Sequence, residues 1–225
     1  MADERASGET RPVLHGYFRS SAAYRVRIAL NLKGIAHDDV SVHLVRDGGV
    51  QHQAAFRALN PLGLVPAWVE GGAVLTQSLA IVEYLDETRP EPPLLPRDAF
   101  ARARVRAFAQ AVACDIHPIN NLRVLQYLEG HLGAGKDAQD AWVRHWIGLG
   151  FDALEAEART TRGEGPYAFG AAPGLADICL VPQMFNARRF GCDVARWPTL
   201  VAIDEACADH PAFAAAHPAR QPDAE

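Results

Sequence analysis

Apolar and polar positions divide the first 90 residues into short elements of alternating type. Val13 to Tyr17 predicts a strand entering a turn, and from Arg25 apolar residues recur at helical spacing up to Lys33-Gly34. Alternation from Val40 to Leu44 predicts a second strand. The remaining predicted elements are a short helix at 54–59, a hairpin at 67–75 and a helix around 81–85. This order of elements predicts an α/β sandwich of about 80 residues.

A proline-rich segment, Arg89 to Pro96, ends this alternation. Its four prolines cannot continue a helix and favour an extended connector. Beyond it the pattern predicts helices and no strand, at 101–127, 138–159, 175–190 and from 198 to near 210. The predicted organisation is a disordered lead-in (1–11), an α/β domain (12–89), a proline-rich linker (90–97), an all-helical domain (98–218) and a tail (219–225).

Composition narrows the classes of partner. The 225 residues carry a net charge of -5, which argues against nucleic acid, and no apolar run is long enough to cross a bilayer. The N-terminus lacks the apolar core of a signal peptide. The four cysteines form no CxxC pair and the histidines no HxxxH pair, so we predict no metal site. Cys114 and Cys179 lie in apolar helical surroundings, and we expect them to be buried and reduced, as in a cytoplasmic protein.

Serines open two of the predicted helices. Gln77-Ser78 begins one, and Ser20-Ser21 begins the other in the stretch FRSSAAYRVRIAL. A serine at a helix N-terminus is a good cap, and the free amides there also bind anions. No histidine or acid in that stretch could activate Ser20 or Ser21 as a nucleophile. Pro66 precedes a predicted strand, which indicates an edge position or a cis bond, although a trans bond is favoured on this observation alone.

Longer motifs resemble one enzyme family. They are FRSSAAYRVRIALNLKG, ALNPLGLVPA, TQSLAIVEYLDE, CDIHPINNLRVLQYL and LVPQMFNARRFG, which begin at residues 18, 58, 76, 114 and 180. From about Val13 to Pro218 the chain resembles the zeta-class glutathione transferases, and in particular the bacterial maleylacetoacetate isomerases. The resemblance implies a thioredoxin-like N-terminal domain (β-α-β-α-β-β-α), a C-terminal helical bundle, a cis Pro66, a homodimer and glutathione as cofactor.

The activity that the resemblance implies is isomerisation of maleylacetoacetate to fumarylacetoacetate, a step of tyrosine and phenylalanine catabolism. Rotation about a carbon–carbon double bond requires removal of its double-bond character, which reversible addition of the glutathione thiolate achieves. The positions implied to bind glutathione are Ser20, Ser21, Gln51, Val65, Gln77, Ser78, His117 and Asn121. Arg189 is implied to contact a carboxylate of the small dianionic substrate, and Arg19 and Arg123 are candidates for the same anion.

Ser20 and Ser21 gain a role from this chemistry. A free thiol has a pKa of about 8.5, and a helix N-terminus with hydroxyl donors lowers that by about two units. We therefore assign both serines as catalytic hydrogen-bond donors to the glutathione sulfur, Ser20 ahead of Ser21, and Arg189 as the catalytic group that holds substrate. Arg25 and Arg27, inside the first helix, are expected to serve packing or fold charges.

Two positions depart from the family pattern. Ala22 stands where many zeta-class enzymes have a cysteine, so glutathione itself is the only candidate thiol at that place. Gly174 stands where the family usually has Ser or Thr in a capping box with the aspartate, here Asp177. Glycine is a tolerated N-cap, so we expect folding to survive.

Three alternative functions stay open on the sequence. A glutathione-dependent maleylpyruvate isomerase would use the same mechanism on a shorter substrate. A wide apolar pocket would favour a detoxifying transferase or peroxidase, and clustered arginines argue against one. A non-catalytic adaptor of the same fold would have no need of Gln77-Ser78, Ser20 and Arg189 together.

Overall fold

The structure, a computed structural model, describes residues 11–225, so the predicted lead-in lies outside the described residues except for Arg11. The elements of the first half are β1 (Val13–Gly16), α1 (Ser21–Lys33), β2 (Asp38–Ser41), α2 (Ala54–Leu59), β3 (Ala67–Glu70), β4 (Ala73–Thr76) and α3 (Ser78–Thr88). The sheet has the order β2-β1-β3-β4, with β1 parallel to β2 and β3 antiparallel to both of its neighbours. The predicted element order and the thioredoxin-like fold class are confirmed.

The second strand is shorter and begins earlier than the alternation predicts. It ends at Ser41, although the Val42 amide still donates to the Gly16 carbonyl at 2.7 Å, and the Val42 side chain packs in a small cluster with Phe56 and Ala67. Leu44 lies in the loop that follows and belongs to no strand.

The second half is helical, as predicted. Its elements are α4 (Ala99–Gln110), a π-helical turn (Ala111–Ile116), a 3-10 turn (Pro118–Asn120), α5 (Leu122–Leu132), α6 (Lys136–Thr161), α7 (Leu175–Arg189), α8 (Pro198–Ala208) and α9 (Pro211–Ala216). Among residues 11–225, no helix is both long enough and apolar enough to span a membrane.

The single helix predicted over 101–127 is wrong. The α-helical ladder ends at Gln110, and Pro118 has no N–H with which to resume it. A new helix then starts where Asn121 Oδ1 accepts a hydrogen bond from the Arg123 amide at 3.2 Å. The prediction for the cysteines is half wrong as well, because Cys179 is buried but Cys114, on the π-helical turn, is exposed.

Helix α1 is buried around most of its circumference between the sheet and the helical half. Its middle residues, from Ala23 to Leu30, are at most 5% exposed, and it packs against α3, α7 and α9. Arg27 lies within this buried stretch, where its guanidinium donates to the carbonyls of Phe18 at 2.9 Å and Ala216 at 3.1 Å. The packing therefore joins the loop before α1 to the end of the helical half.

The proline-rich connector is held by the last residue of α1. The Lys33 Nζ, fully buried, donates to Asp86 Oδ1 at 2.6 Å and to the carbonyls of Arg89 and Pro92 at 2.7 and 2.6 Å. A cation at this position also suits the negative end of the α1 dipole. The domain boundaries at 89 and 98 stay predictions, but the connector between them has a fixed path.

Gly174 does more than serve as a tolerated cap. Asp177 accepts hydrogen bonds from the amides of Gly174 at 2.9 Å and Ala168 at 2.8 Å, as half of a capping box would. The connector carbonyl of Leu94 accepts from Leu175 at 2.9 Å, and a Cβ at position 174 would lie 2.7 Å from that same oxygen. A glycine here lets the connector approach the start of α7.

The C-terminal tail docks on the first half beside the loop that precedes α1. Asp223 Oδ2 accepts hydrogen bonds from the Ser41 hydroxyl at 2.8 Å and from the Phe18 amide at 3.2 Å. The carboxylate thus connects β2 to the residues just before Ser20.

Replacing this carboxylate should weaken the fold. We expect Asp223→Ala to lower the free energy of unfolding by about 1 kcal/mol, since two partly exposed bonds to a charged acceptor are lost. Urea unfolding measures the change, with Asp193→Ala as the control because Asp193 is exposed and makes no side-chain hydrogen bond within residues 11–225. Equal stabilities for the two variants would contradict a docked tail.

Candidate active site

Two adjoining cavities lie where α1 and α3 begin. The larger, here the α3 cavity, has a volume of about 440 Å³, and its lining includes Arg25, Val65, Gln77, Ser78 and Arg123. The smaller, here the α1 cleft, has a volume of about 160 Å³, and its lining includes Arg19, Ser20, Ser21, Asn186 and Arg189. His117 and Asn121 line both, so the two volumes meet at these side chains.

The serine pair sits at the N-terminus of α1, as the sequence predicts. Ser20 is the N-cap residue, and its hydroxyl oxygen accepts from the Ala23 amide at 3.2 Å. Ser21 is buried, and its oxygen accepts from Asn186 Nδ2 at 2.8 Å. Because each oxygen is engaged as an acceptor, each hydroxyl keeps its own hydrogen for a further acceptor. Both face the positive end of a 13-residue helix.

Asn186 is a site residue that the sequence interpretation missed. It lies 165 positions from Ser21, and only the packing of α7 against α1 brings them together. The available signal was its place in LVPQMFNARRFG, one helical turn before Arg189 on the same face.

Arg19 and Arg189 lie together in the α1 cleft. The Arg19 Nη2 donates to the Tyr17 hydroxyl at 2.8 Å, and the Arg189 guanidinium lies 5.0 Å from the ring centre of Phe190. Partial burial and the positive charge of Arg19 lower the pKa of Arg189. Within residues 11–225 no carboxylate forms an ion pair with either guanidinium, so two cations share one small cleft. That arrangement suits an anion with more than one carboxylate.

Gln77 and Ser78 lie at the start of α3, on the wall of the α3 cavity. Gln77 adopts the left-handed region (φ 70°), and the first turn of α3 carries no acidic residue. Ser78, 6% exposed, accepts from Arg25 Nη1 at 3.3 Å. The Val65–Pro66 bond is cis, as the resemblance implies, and both residues line the same cavity.

His117 lies at the junction of the two cavities. Burial lowers the pKa of its ring to about 3, and the positive charge of Arg25 adds to this effect. The ring is therefore neutral at physiological pH, and it can donate or accept a hydrogen bond without adding charge.

Three further candidates differ in their placement. Asn121 lies at the junction beside His117, as expected, and also caps α5. Arg123 is exposed and lines the α3 cavity, apart from the arginine pair of the α1 cleft. Gln51 lines neither cavity: its side chain is buried and donates to the Leu44 carbonyl at 3.0 Å.

The cleft fits glutathione by its donors. The α3 cavity offers the Ser78 hydroxyl, with the positive charge of the buried Arg25 guanidinium directly behind it, and this pair suits a carboxylate. The α1 cleft offers two hydroxyls at a helix N-terminus, which suit a thiolate. Cys114 lines the α3 cavity and not the α1 cleft, so its thiol stands away from the serines. Within residues 11–225, no three His, Cys, Asp or Glu side chains are grouped to hold a metal ion.

Comparisons with known proteins agree with this geometry. Residues 19–88 match the family described as the glutathione S-transferase N-terminal domain. A probable maleylacetoacetate isomerase of Vibrio cholerae is 52% identical over 94% of this chain and 98% of its own. The holo structure of a maleylpyruvate isomerase, a bacterial zeta-class glutathione S-transferase, superposes with a TM-score of 0.92 at 49% identity, covering 95% of this chain and all of that one. The structure of maleylacetoacetate isomerase from Methylobacterium extorquens AM1, with bound malonate and glutathione, superposes with a TM-score of 0.90 at 44% identity. The match covers 95% of this chain and 99% of that one.

Replacing His117 should reduce the dependence of stability on pH. Because its pKa is about 3 in the folded chain and about 6.5 in the unfolded one, only the unfolded chain takes up a proton as the pH falls below about 6.5. His117 therefore lowers the free energy of unfolding between about pH 8 and pH 5, by roughly 1–2 kcal/mol. In His117→Gln, the free energy of unfolding measured in urea should therefore fall less between about pH 8 and pH 5 than it does in the wild type. Exposed His131→Gln is the control, and an unchanged pH dependence in His117→Gln would contradict a neutral ring.

Proposed function

Because the chain belongs to the zeta-class glutathione transferases, in the family of the maleylacetoacetate isomerases, we propose that it converts maleylacetoacetate to fumarylacetoacetate with glutathione as cofactor. The observation that carries the proposal is the α1 cleft, where two serine hydroxyls at a helix N-terminus face two arginines without carboxylate partners in residues 11–225. A thiolate and a dianion can meet there. When bound, glutathione supplies the thiolate whose reversible addition lets the substrate's double bond rotate.

Ser20 and Ser21 hold the sulfur ionised. Each donates the hydroxyl hydrogen that its existing hydrogen bond leaves free, Ser20 from the cap position and Ser21 from the first residue of α1. Asn186 fixes the orientation of Ser21 by donating to its oxygen at 2.8 Å. The α1 dipole favours the same negative charge. Ala22, which lines the α3 cavity, brings no thiol that could compete.

Arg189 and Arg19 bind the two carboxylates of the substrate. Arg19 is oriented by the Tyr17 hydroxyl at 2.8 Å, and Arg189 is carried on the last turn of the rigid helix α7. The same charges stabilise the negative charge that develops next to the reacting bond when sulfur adds to it.

The α3 cavity holds the rest of the cofactor. Gln77 and Ser78 receive the γ-glutamyl end at the α3 N-terminus, and the Val65 backbone, next to the cis Pro66, pairs with the peptide. His117 and Asn121 contact it at the junction, and the exposed Arg123 stands at the rim. Gln51 acts indirectly, by supporting the loop at Leu44 on the edge of the α1 cleft.

The same family membership supports a proposal for the wider setting of the protein. The protein acts in tyrosine and phenylalanine catabolism, in the cytoplasm, as a homodimer. The four free cysteines suit a reducing compartment. Light scattering should give a mass twice that of the 24.4 kDa chain.

Turnover with and without glutathione tests the proposal. Maleylacetoacetate should be isomerised only when glutathione is present, and absorbance of the conjugated product follows the reaction. Maleylpyruvate is the second substrate, because a relative of nearly equal similarity is a maleylpyruvate isomerase. Faster turnover of maleylpyruvate would assign the chain to that shorter substrate. Turnover of neither, or turnover that persists without glutathione, would refute both functions.

Removing the Arg189 charge should affect substrate far more than cofactor. We expect Arg189→Gln to raise the KM for maleylacetoacetate by about tenfold or more, because a charge-assisted bond contributes about 1.5–3 kcal/mol. Glutathione affinity should stay within about twofold, a difference below half a kcal/mol. Steady-state kinetics and calorimetry separate the two effects. Arg196→Gln, an exposed arginine paired with Asp152, is the control, and a matching change in both variants would contradict the assignment.

A further inference from the structure

Arg25 occupies the core without the partners that its burial requires. It is 1% exposed, and its one hydrogen bond within residues 11–225 runs from Nη1 to Ser78 Oγ at 3.3 Å. The Nε and Nη2 groups have no partner there. Arg27, two residues further along α1, is equally deep but donates to the carbonyls of Tyr17, Phe18 and Ala216. Packing explains Arg27 and does not explain Arg25.

The Arg25 guanidinium is charged and lacks a counter-ion among the described residues. Burial lowers the pKa of Arg25. The ordinary pKa of a guanidinium is so high, however, that the group keeps its proton in proteins. No carboxylate of residues 11–225 pairs with it. The titratable side chains close to it are the thiols of Cys114 and Cys179 and the neutral ring of His117. A buried charge without a counter-ion is unfavourable, and this favours an anion bound beside Arg25.

The direction of Arg25 identifies where that anion lies. Its side chain lines the α3 cavity beside Gln77 and Ser78, at a helix N-terminus whose first turn has no acidic residue. The Ser78 oxygen accepts from the guanidinium, so the hydroxyl hydrogen is free to donate into the cavity. Donation from a cation polarises that hydroxyl and strengthens it as a donor.

We propose that Arg25 is the counter-ion of the α-carboxylate of glutathione's γ-glutamyl residue, acting through Ser78 and through its own unneutralised charge, and that it selects ligands carrying a carboxylate at this end. This inference rests on the proposed function, since it takes glutathione as the ligand. Arg25 is a specificity-determining residue of the cavity, whereas the chemistry occurs in the α1 cleft.

The proposal makes opposite predictions for the free and the liganded protein. In the free protein Arg25→Met removes a buried charge that has one weak partner, so the melting temperature should stay the same or rise. With glutathione the variant should be stabilised much less than the wild type. A residue needed only for packing would lower both melting temperatures alike.

Calorimetry with two ligands tests the pairing directly. The ligands are glutathione and γ-aminobutyryl-cysteinylglycine, which lacks only the α-carboxylate in question. Arg25→Met should bind glutathione about tenfold or more weakly than the wild type does. Its affinity for the analogue should stay within about twofold of the wild type's affinity for the analogue. Arg25→Lys, which keeps the charge, should retain part of the preference for glutathione. Arg27→Met, the matched control on the same helix, should keep the full preference even if it is less stable.

Each other outcome overturns the pairing. An equal loss of affinity for both ligands, or no loss, would show that Arg25 does not sense this carboxylate. Failure of Arg25→Met to fold would assign the residue to the core. Binding is measured without substrate, so a wild-type protein that binds glutathione but turns over neither maleyl substrate would refute the proposed function and leave this inference standing.

Discussion

The buried helix α1 sets the positions of both cavities. The helix packs on α3, α7 and α9 at once, and its middle residues are almost wholly inaccessible. Since its orientation is fixed on several sides, its N-terminus brings Ser21 to Asn186 of α7 and its second turn brings Arg25 to Ser78 of α3. The α1 cleft thus lies where α1 meets α7, and the α3 cavity lies where α1 meets α3.

The two cavities carry positive charge, and no carboxylate of the described residues lines either of them. Arg19 and Arg189 line the α1 cleft, Arg25 lines the α3 cavity, and the starts of α1 and α3 add their dipoles. His117, at the junction, is kept neutral by burial and by Arg25. On the proposed function, binding of an anionic tripeptide and a dianionic substrate there would relieve repulsion as well as form hydrogen bonds, so that ligands would be selected by charge more than by apolar shape.

Local signals were enough for much of this architecture. Alternation, helix caps and the Glu70-Gly71-Gly72 turn predicted the order of the first seven elements, and the serines were placed correctly at helix starts. The helix over 101–127 failed because apolar periodicity continues through the π-helical turn, although Pro118 marked the break. Asn186 and the partner of Arg25 could not be predicted locally, since those contacts join residues 165 and 53 positions apart. The resemblance of the motifs to a known family identified glutathione as the ligand, which hydrophobic periodicity alone could not do.

On the proposed function, the start of α1 ionises a thiol that is not part of the chain. The most direct measurement is the pH titration of protein-bound glutathione, followed by the ultraviolet absorbance of its thiolate. We expect the bound thiol to have a pKa about two units below the free value of about 8.5, and we expect a partial return toward that value in Ser20→Ala and Ser21→Ala. A bound thiol that titrates like free glutathione in the wild type would contradict it.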